Sequence, residues 1–390
     1  MKYRGVFQKR ASLVVYVFTS IVALQVDAAP LGAPIIGYGS SDAVLPAKNQ
    51  ELFYMGFELA LRSTLDKRYG HDVLGISQVS DGSQLGAVRA AKELVARGAK
   101  FLVGFPTSHE ALLASEVTSK VPMLFIASGA GHEKLGKMGN YVFSTGESMD
   151  YSVGTTMDFI SSKFKNQKGL VVSNPRAIFS LNQAETARRI KEKSDGKLLP
   201  NLEFADVDAQ SRLSEDVIKR VKNGNFKYLF LTMYADESAH LLQQLEDRGI
   251  DLPIVSNTSW TTGDVMFLLR MLTKRKSETF SAALWVEGSP ESAPMENLVK
   301  QTYGRKATAE IAYGFDLGVI VAKTMNGVKG QSSAEKIQKS FLEQRCFTGL
   351  SSGKLCFHPE GGHADRKIYF VKFQKDHFIP LKTGAGGRRE

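Results

Sequence analysis

Ser108 stands next to His109, and His132 follows the small-residue run Ser128-Gly129-Ala130-Gly131. A hydroxyl within reach of an imidazole is the start of nucleophilic hydrolysis, so these residues are the one hint of catalysis in the chain. The other histidines, His71, His240, His358, His363 and His377, are scattered. No G-x-G-x-x-G follows a strand-like run, and no G-x-S-x-G sits in a strand-to-helix setting. The phosphate-cradling G-x-x-x-x-G-K-S/T and the metalloprotease H-E-x-x-H are absent. An enzyme needs a constellation, and none is legible. Hydroxyls, glycines and isolated carboxylates at strand ends suit binding, and no cofactor is expected.

Those residues must be positioned by alternating strands and helices. Ile35-Ile36-Gly37-Tyr38 reads as a strand, ended by Gly39-Ser40-Ser41-Asp42. Residues 50–68 read as a helix, because Phe53, Phe57, Leu61 and Leu65 repeat on one face. A strand at 73–76, a helix opened by Asp81-Gly82-Ser83 and stopped by Gly98, and a strand at 101–104 continue the series. A helix over 108–119 and a strand over 121–127 follow. The rhythm restarts after Met149, with strands near 169–172, 204–207, 228–231 and 253–255 separated by helices. Apolar strands covered by helices imply parallel sheets, hence an α/β fold of two doubly wound parallel-sheet lobes. The two series span 33–148 and 149–285. The tail offers a strand at 282–285, helices at 295–303 and 309–326, and hairpin-like strands at 353–357 and 367–373. In such sheets ligands sit beyond the carboxyl ends of the strands. The loops there are rich in Gly, Ser and Thr, whose N–H groups and hydroxyls suit an anionic group at helix N-termini.

Residues 1–28 are set apart from that fold. Lys2, Arg4, Lys9 and Arg10 precede an uncharged, mostly apolar run, and Val26-Asp27-Ala28 offers a cleavage site before Ala29-Pro30. Together these describe a secretory signal peptide cut after Ala28. The apolar run is short for a membrane anchor, which needs roughly twenty such residues. The rest of the chain is too long for one core and predicts two domains. Removing the leader takes four basic residues and Asp27, which lowers the net charge from +10 to +7. The basic residues are spread along the chain, so a solvated surface fits better than a nucleic-acid interface. Export also bears on Cys346 and Cys356, the two cysteines of the chain. In an oxidising compartment they fit a disulfide across a hairpin at Gly349-Leu350-Ser351-Ser352-Gly353. Free thiols, or a metal site with His358 and His363, are the other readings.

Five blocks taken together resemble the type I periplasmic binding proteins, the branched-chain amino-acid receptors and their relatives. The first two are Leu102-Val103-Gly104-Phe105-Pro106-Thr107-Ser108 and Val121-Pro122-Met123-Leu124-Phe125-Ile126-Ala127-Ser128. Tyr141-Val142-Phe143-Ser144-Thr145 is the third, and the fourth is the strand 228–231 with the helix ending Leu245-Glu246-Asp247-Arg248-Gly249-Ile250. Ala312-Tyr313-Gly314-Phe315-Asp316 is the fifth. Their order and spacing carry the likeness. It implies a Venus-flytrap: two lobes joined by three crossovers, near 147–150, 285–288 and 349–354. Lobe 1 would comprise 29–148 and 287–349, and lobe 2 would comprise 149–286 and 350–390. The resemblance further implies a monomeric periplasmic protein that captures a small polar or anionic ligand, an amino acid or related compound, between its lobes. Its partner would be the permease of an ABC importer. A ligand-sensing module of the same fold, signalling to a membrane receptor or kinase, is the alternative.

The resemblance also assigns residues. Ser108 sits at the turn that in the family contacts the ligand carboxylate, although capping its own helix is a competing role. Gly129, Ala130 and Gly131 match the next ligand loop, where small side chains let backbone donors approach. The amino-acid receptors place a Thr hydroxyl where Gly131 stands. Ser148 or Asp150 falls at the first crossover, where those receptors hold an acid toward the ligand amine; either also suits a helix N-cap. The second lobe departs from the family's acidic strand end and Tyr-Gly, reading Ser173-Asn174-Pro175-Arg176-Ala177-Ile178-Phe179-Ser180. Phe179 is a candidate aromatic wall and Arg176 a candidate anion partner, against core packing and surface charge. Glu237 lies where the amine-binding carboxylate often sits, or else it stabilises its helix dipole. Tyr234 and Trp260 complete the candidate cleft lining. Gly131 and the 173–180 segment point away from leucine-like ligands, while Ser108 and Glu237 point toward an amino acid.

Overall fold

The computed structural model describes residues 35–41, 47–69, 74–80, 83–139, 141–195, 197–262, 265–329 and 332–381. The leader expected at 1–28 lies outside the described residues. The first series runs β1 (Ile35–Ser41), α1 (Ala47–Thr64), β2 (Leu74–Ser80), α2 (Gln84–Ala96), β3 (Phe101–Gly104), α3 (Ser108–Thr118), β4 (Leu124–Ala127) and β5 (Val142–Ser144). The second runs α4 (Met149–Phe164), β6 (Gly169–Ser173), α5 (Ile178–Lys193), β7 (Leu202–Asp206), α6 (Glu215–Lys222), β8 (Tyr228–Leu231), α7 (Ala235–Asp247), β9 (Ile254–Ser256), α8 (Met266–Thr273) and β10 (Thr279–Ala283). Then come α9 (Ala293–Tyr303), α10 (Ala309–Gly327), α11 (Ala334–Gln344), β11 (Cys346–Leu350), β12 (Gly353–Phe357), β13 (Gly362–Asp365), β14 (Tyr369–Gln374) and β15 (His377–Pro380).

The strands form two sheets, ordered β11-β12-β13-β5-β4-β3-β1-β2 and β15-β14-β10-β9-β8-β6-β7. Their central pairings are parallel. β3, β4, β6 and β8 are buried along their whole length, so their sequences are continuous apolar runs, broken only by Ser173 at the end of β6, rather than alternations. In the first lobe, α1 and α10 cover one face of the sheet, and α2 and α3 the other. α1 and α10 touch backbone to backbone. A Cβ on Gly56 would overlap the carbonyl oxygen of Ile311, and one on Gly314 would overlap that of Phe53.

The chain passes between the sheets three times, at 145–148, 284–292 and 366–368. The third passage corrects the expected 349–354. β12 pairs with β13, and β13 then runs parallel to β5 with Gly362 opposite Phe143 and His363 opposite Ser144. Residues 350–365 therefore complete the first sheet instead of opening the second lobe. The return toward β5 is made by Gly361 and Gly362, with φ of 102° and 98°, a region costly for other residues.

Arg366 anchors the third passage. Its Nη2 lies 3.4 Å from Asp316 Oδ2, and both side chains are buried. Asp316 also accepts from the Ser351 N–H at 2.5 Å and the Ser352 hydroxyl at 2.6 Å. The guanidinium lies 5.1 Å from the Tyr313 ring centre. On the outer strand, Cys346 faces Cys356 across β11 and β12, and the two are joined in a disulfide. Among the described residues no helix is long and apolar enough to cross a membrane.

Candidate functional site

Residues just beyond the carboxyl ends of β3, β5, β8 and β9 meet at the boundary between the lobes. On the first lobe the chain enters α3 through Thr107, whose Oγ1 accepts the Glu110 N–H at 3.2 Å and caps the helix. Ser108 is thereby relieved of capping and becomes the first helical residue. It is 3% exposed, and its hydroxyl has no partner among the described residues. Glu110 is 1% exposed. Its Oε2 accepts from the Thr107 hydroxyl at 2.9 Å, while Oε1 has no partner among the described residues. Leaving a buried polar atom bare costs about 1–3 kcal/mol, so native structures rarely do it without reason. Two bare oxygens stand here within one helical turn.

The 129–131 loop leans on the first passage. Ser144 Oγ donates to the Ala130 carbonyl at 2.6 Å. Gly129 adopts φ of 98° and faces open space. A Cβ on Gly131 would stand 3.2 Å from the Glu147 carbonyl oxygen. A threonine there would have to push the passage aside, which is a physical reason for the glycine.

At the passage itself, a buried acid, Glu147, stands one residue before Ser148. Ser148 accepts the Tyr151 N–H at 3.2 Å and caps α4. Asp150 is exposed and pairs with Arg189. Glu147 is buried beside the hydroxyls of Ser152 and Thr258, with Arg366 close by. Burial pushes its carboxyl above the usual range, against the opposing pull of its own backbone N–H and of Arg366. Thr258 follows β9, so Glu147 touches both lobes.

On the second lobe, Phe179 stacks on Tyr234 with ring centres 4.9 Å apart and planes 18° from parallel. Tyr234 is the N-cap residue of α7. Burial raises the pKa of its hydroxyl, and the charges of Glu237 and of Glu110 add to this. Glu110 belongs to the other lobe, and α3 packs against α5. The aromatic pair therefore stands opposite the first turn of α3.

Other candidates have different tasks. Glu237 has both oxygens engaged, Oε1 by Asn174 Nδ2 at 2.6 Å and Oε2 by the Tyr234 N–H at 3.0 Å. It braces the ends of β6 and β8. Arg176 is exposed. Trp260 is a correction: it is fully buried in the core of the second lobe, among Leu229, Leu231 and Leu268, and lines no cleft. Asn257 Nδ2 donates to the carbonyls of Leu231 and Met233, and so folds that loop back over β8. His132 Nδ1 accepts the Lys134 N–H at 3.1 Å and caps a short turn. Among the described residues no imidazole bonds to the Ser108 hydroxyl.

Glu110 and Glu147 are the residues that sequence reasoning missed. Thr107-x-x-Glu110 is legible as a capping box, which hides the second oxygen of the acid. Glu147 stands one position before the expected Ser148.

The chain matches the sequence pattern of the periplasmic binding protein family over residues 69–377. No curated protein matches it. Solved structures of similar fold include a leucine-binding protein from Thermotoga maritima, at 12% identity and a TM-score of 0.77, covering 89% of this chain and 97% of that one. Another is a branched-chain amino acid transporter substrate-binding protein from Streptococcus pneumoniae, in complex with isoleucine. It has 15% identity and a TM-score of 0.72, and covers 89% of this chain and 100% of that one. A third is a solute-binding protein of an ABC transporter from Rhodopseudomonas palustris, in complex with 3,4-dihydroxybenzoic acid. It has 15% identity and a TM-score of 0.69, with coverage of 90% and 97%. At these identities the likeness is one of fold.

Proposed function

The chain belongs to the periplasmic binding protein family, and on that premise we propose that it captures a small polar solute between its lobes for an ABC importer. It acts in the periplasm as a monomer, after loss of the 1–28 leader, and hands its ligand to the permease. It binds its ligand and does not transform it. The observation that carries the reading is the Ser108 hydroxyl, buried without a partner among the described residues where a strand end meets the opposite lobe. An atom in that position is satisfied by a ligand group that the closing lobes enclose.

Closure supplies selectivity. The solute docks on the first lobe through Ser108 and the 129–131 loop. The second lobe then covers it with Phe179 and Tyr234. A ligand shifts the lobes only by its differential affinity for the closed state.

A thermal-shift panel of amino acids, short carboxylates, amides, amines and aromatic acids tests this on residues 29–390 refolded free of carried-over ligand. A ligand at 100 times its Kd adds roughly 2.7 kcal/mol and several degrees. Ser108→Ala should weaken the hit about tenfold and leave the unliganded melting temperature unchanged. A panel with no shift would overturn the reading.

A further inference from the structure

We propose that Glu110 selects the ligand by accepting hydrogen bonds from a nitrogen-bearing group, an amine, amide or amidine, on the first-lobe wall of the cleft. The proposal rests on the solute-binding reading above and names the chemistry this cleft takes.

Glu110 sits where a helix start would ordinarily welcome an anion. Its own carboxylate already occupies that favourable end of α3. A ligand carboxylate brought to Ser108 would meet the Glu110 carboxyl group two residues away. An ionised carboxylate only accepts hydrogen bonds. Oε2 has its donor in Thr107, and Oε1 has none among the described residues. A buried acceptor left in that state is costly until a donor reaches it.

Capping does not account for the arrangement. In a capping box the acid reaches back to the backbone N–H of the N-cap residue. Here Glu110 takes the Thr107 hydroxyl, and its other oxygen is unused for the helix. The facing wall agrees with a cationic or donor-bearing guest. The stacked rings of Phe179 and Tyr234 lie opposite, and aromatic faces attract ammonium and amidinium groups.

The test uses the mature chain, refolded free of carried-over ligand, and matched probes titrated by calorimetry. Isopentylamine is set against isovalerate, benzamidine against benzoate, and 3,4-dihydroxybenzamide against its acid, within a broader set of amines and carboxylates. The wild-type protein should bind the donor-bearing member of a pair at least tenfold more tightly. Glu110→Gln keeps an acceptor for Thr107 and places an NH2 group at the bare position. It should weaken the donor-bearing probe roughly 10- to 100-fold and narrow or reverse the preference. Glu110→Asp keeps the charge and should retain the preference at reduced affinity, which separates selection from a folding defect. Preference for the carboxylates in the wild type, or a preference in Glu110→Gln within twofold of wild type, overturns the inference and leaves solute binding standing. Binding of no probe overturns both.

Discussion

Arg366 donates through Nη1 to the carbonyl oxygen of Thr145 at 3.1 Å, so the third passage between the lobes is bonded to the first. The same guanidinium faces Asp316 on α10, and Asp316 holds the Ser351-Ser352 turn. Two passages, the central helix of the first lobe and the end of its outer hairpin thus share one buried charge pair. In the proposed closure, rotation of the lobes would be absorbed around this knot, in the flanking residues of the passages.

Arg366→Ala should remove about 3–5 kcal/mol of stability, because it strands Asp316 as an unpaired buried charge. Urea unfolding followed by circular dichroism measures the loss. A loss below about 1 kcal/mol, the size of an exposed ion pair, would show that the pair is far more hydrated than its burial indicates.

Glu147 gives a pH-dependent prediction. Its folded-state pKa is raised by burial, so the folded protein holds this proton more tightly than the unfolded chain does. Ionisation therefore costs stability. That cost is absent below the ordinary value of 4.5 and complete above the raised one. Glu147→Gln should raise the melting temperature of the unliganded protein by a few degrees near neutral pH. The gain should fade as pH falls through the raised pKa toward 4.5. A gain independent of pH would assign it to packing.

Gly314→Ala tests the close approach of α1 and α10. The added methyl meets the Phe53 carbonyl, and separating two packed helices costs about 1–3 kcal/mol or more. Thermal unfolding should show a clear drop, and a neutral substitution would mean that the helices part easily.

The disulfide closes a loop with a sequence separation of 10. Constraint of so short a loop is worth about 2–3 kcal/mol. Paired Cys346→Ser and Cys356→Ser substitutions should lower the urea midpoint accordingly, and reductant should reproduce the shift in the wild type.

The fold was legible where burial is complete. Phe101-Leu102-Val103 and Leu124-Phe125-Ile126 are apolar without interruption because both faces of their strands are covered. β13 was illegible for the opposite reason. Gly362-His363-Ala364-Asp365 has no apolar pattern, and it joins the first sheet through backbone pairing to β5 and the conformational freedom of two glycines. At the first passage the sequence offers three polar residues in a row of four, and only their helix phase separates them. Ser148 and Asp150 carry the right chemistry, yet the N-cap geometry of α4 turns Ser148 to its own helix and leaves Asp150 in solvent. Which acid faced inward depended on helix phase, and that is a tertiary fact. Trp260 shows the limit from the other side, since a strand-end loop that folds back becomes core.

The position of β13 also sets a timetable. The first sheet begins at β1 and stays incomplete until residues 362–365 are available. A nascent chain emerging from its N-terminus therefore carries an unfinished first lobe until nearly all of it has been made, while most of the second lobe lies within that interval. Folding in order of synthesis is closed to this topology.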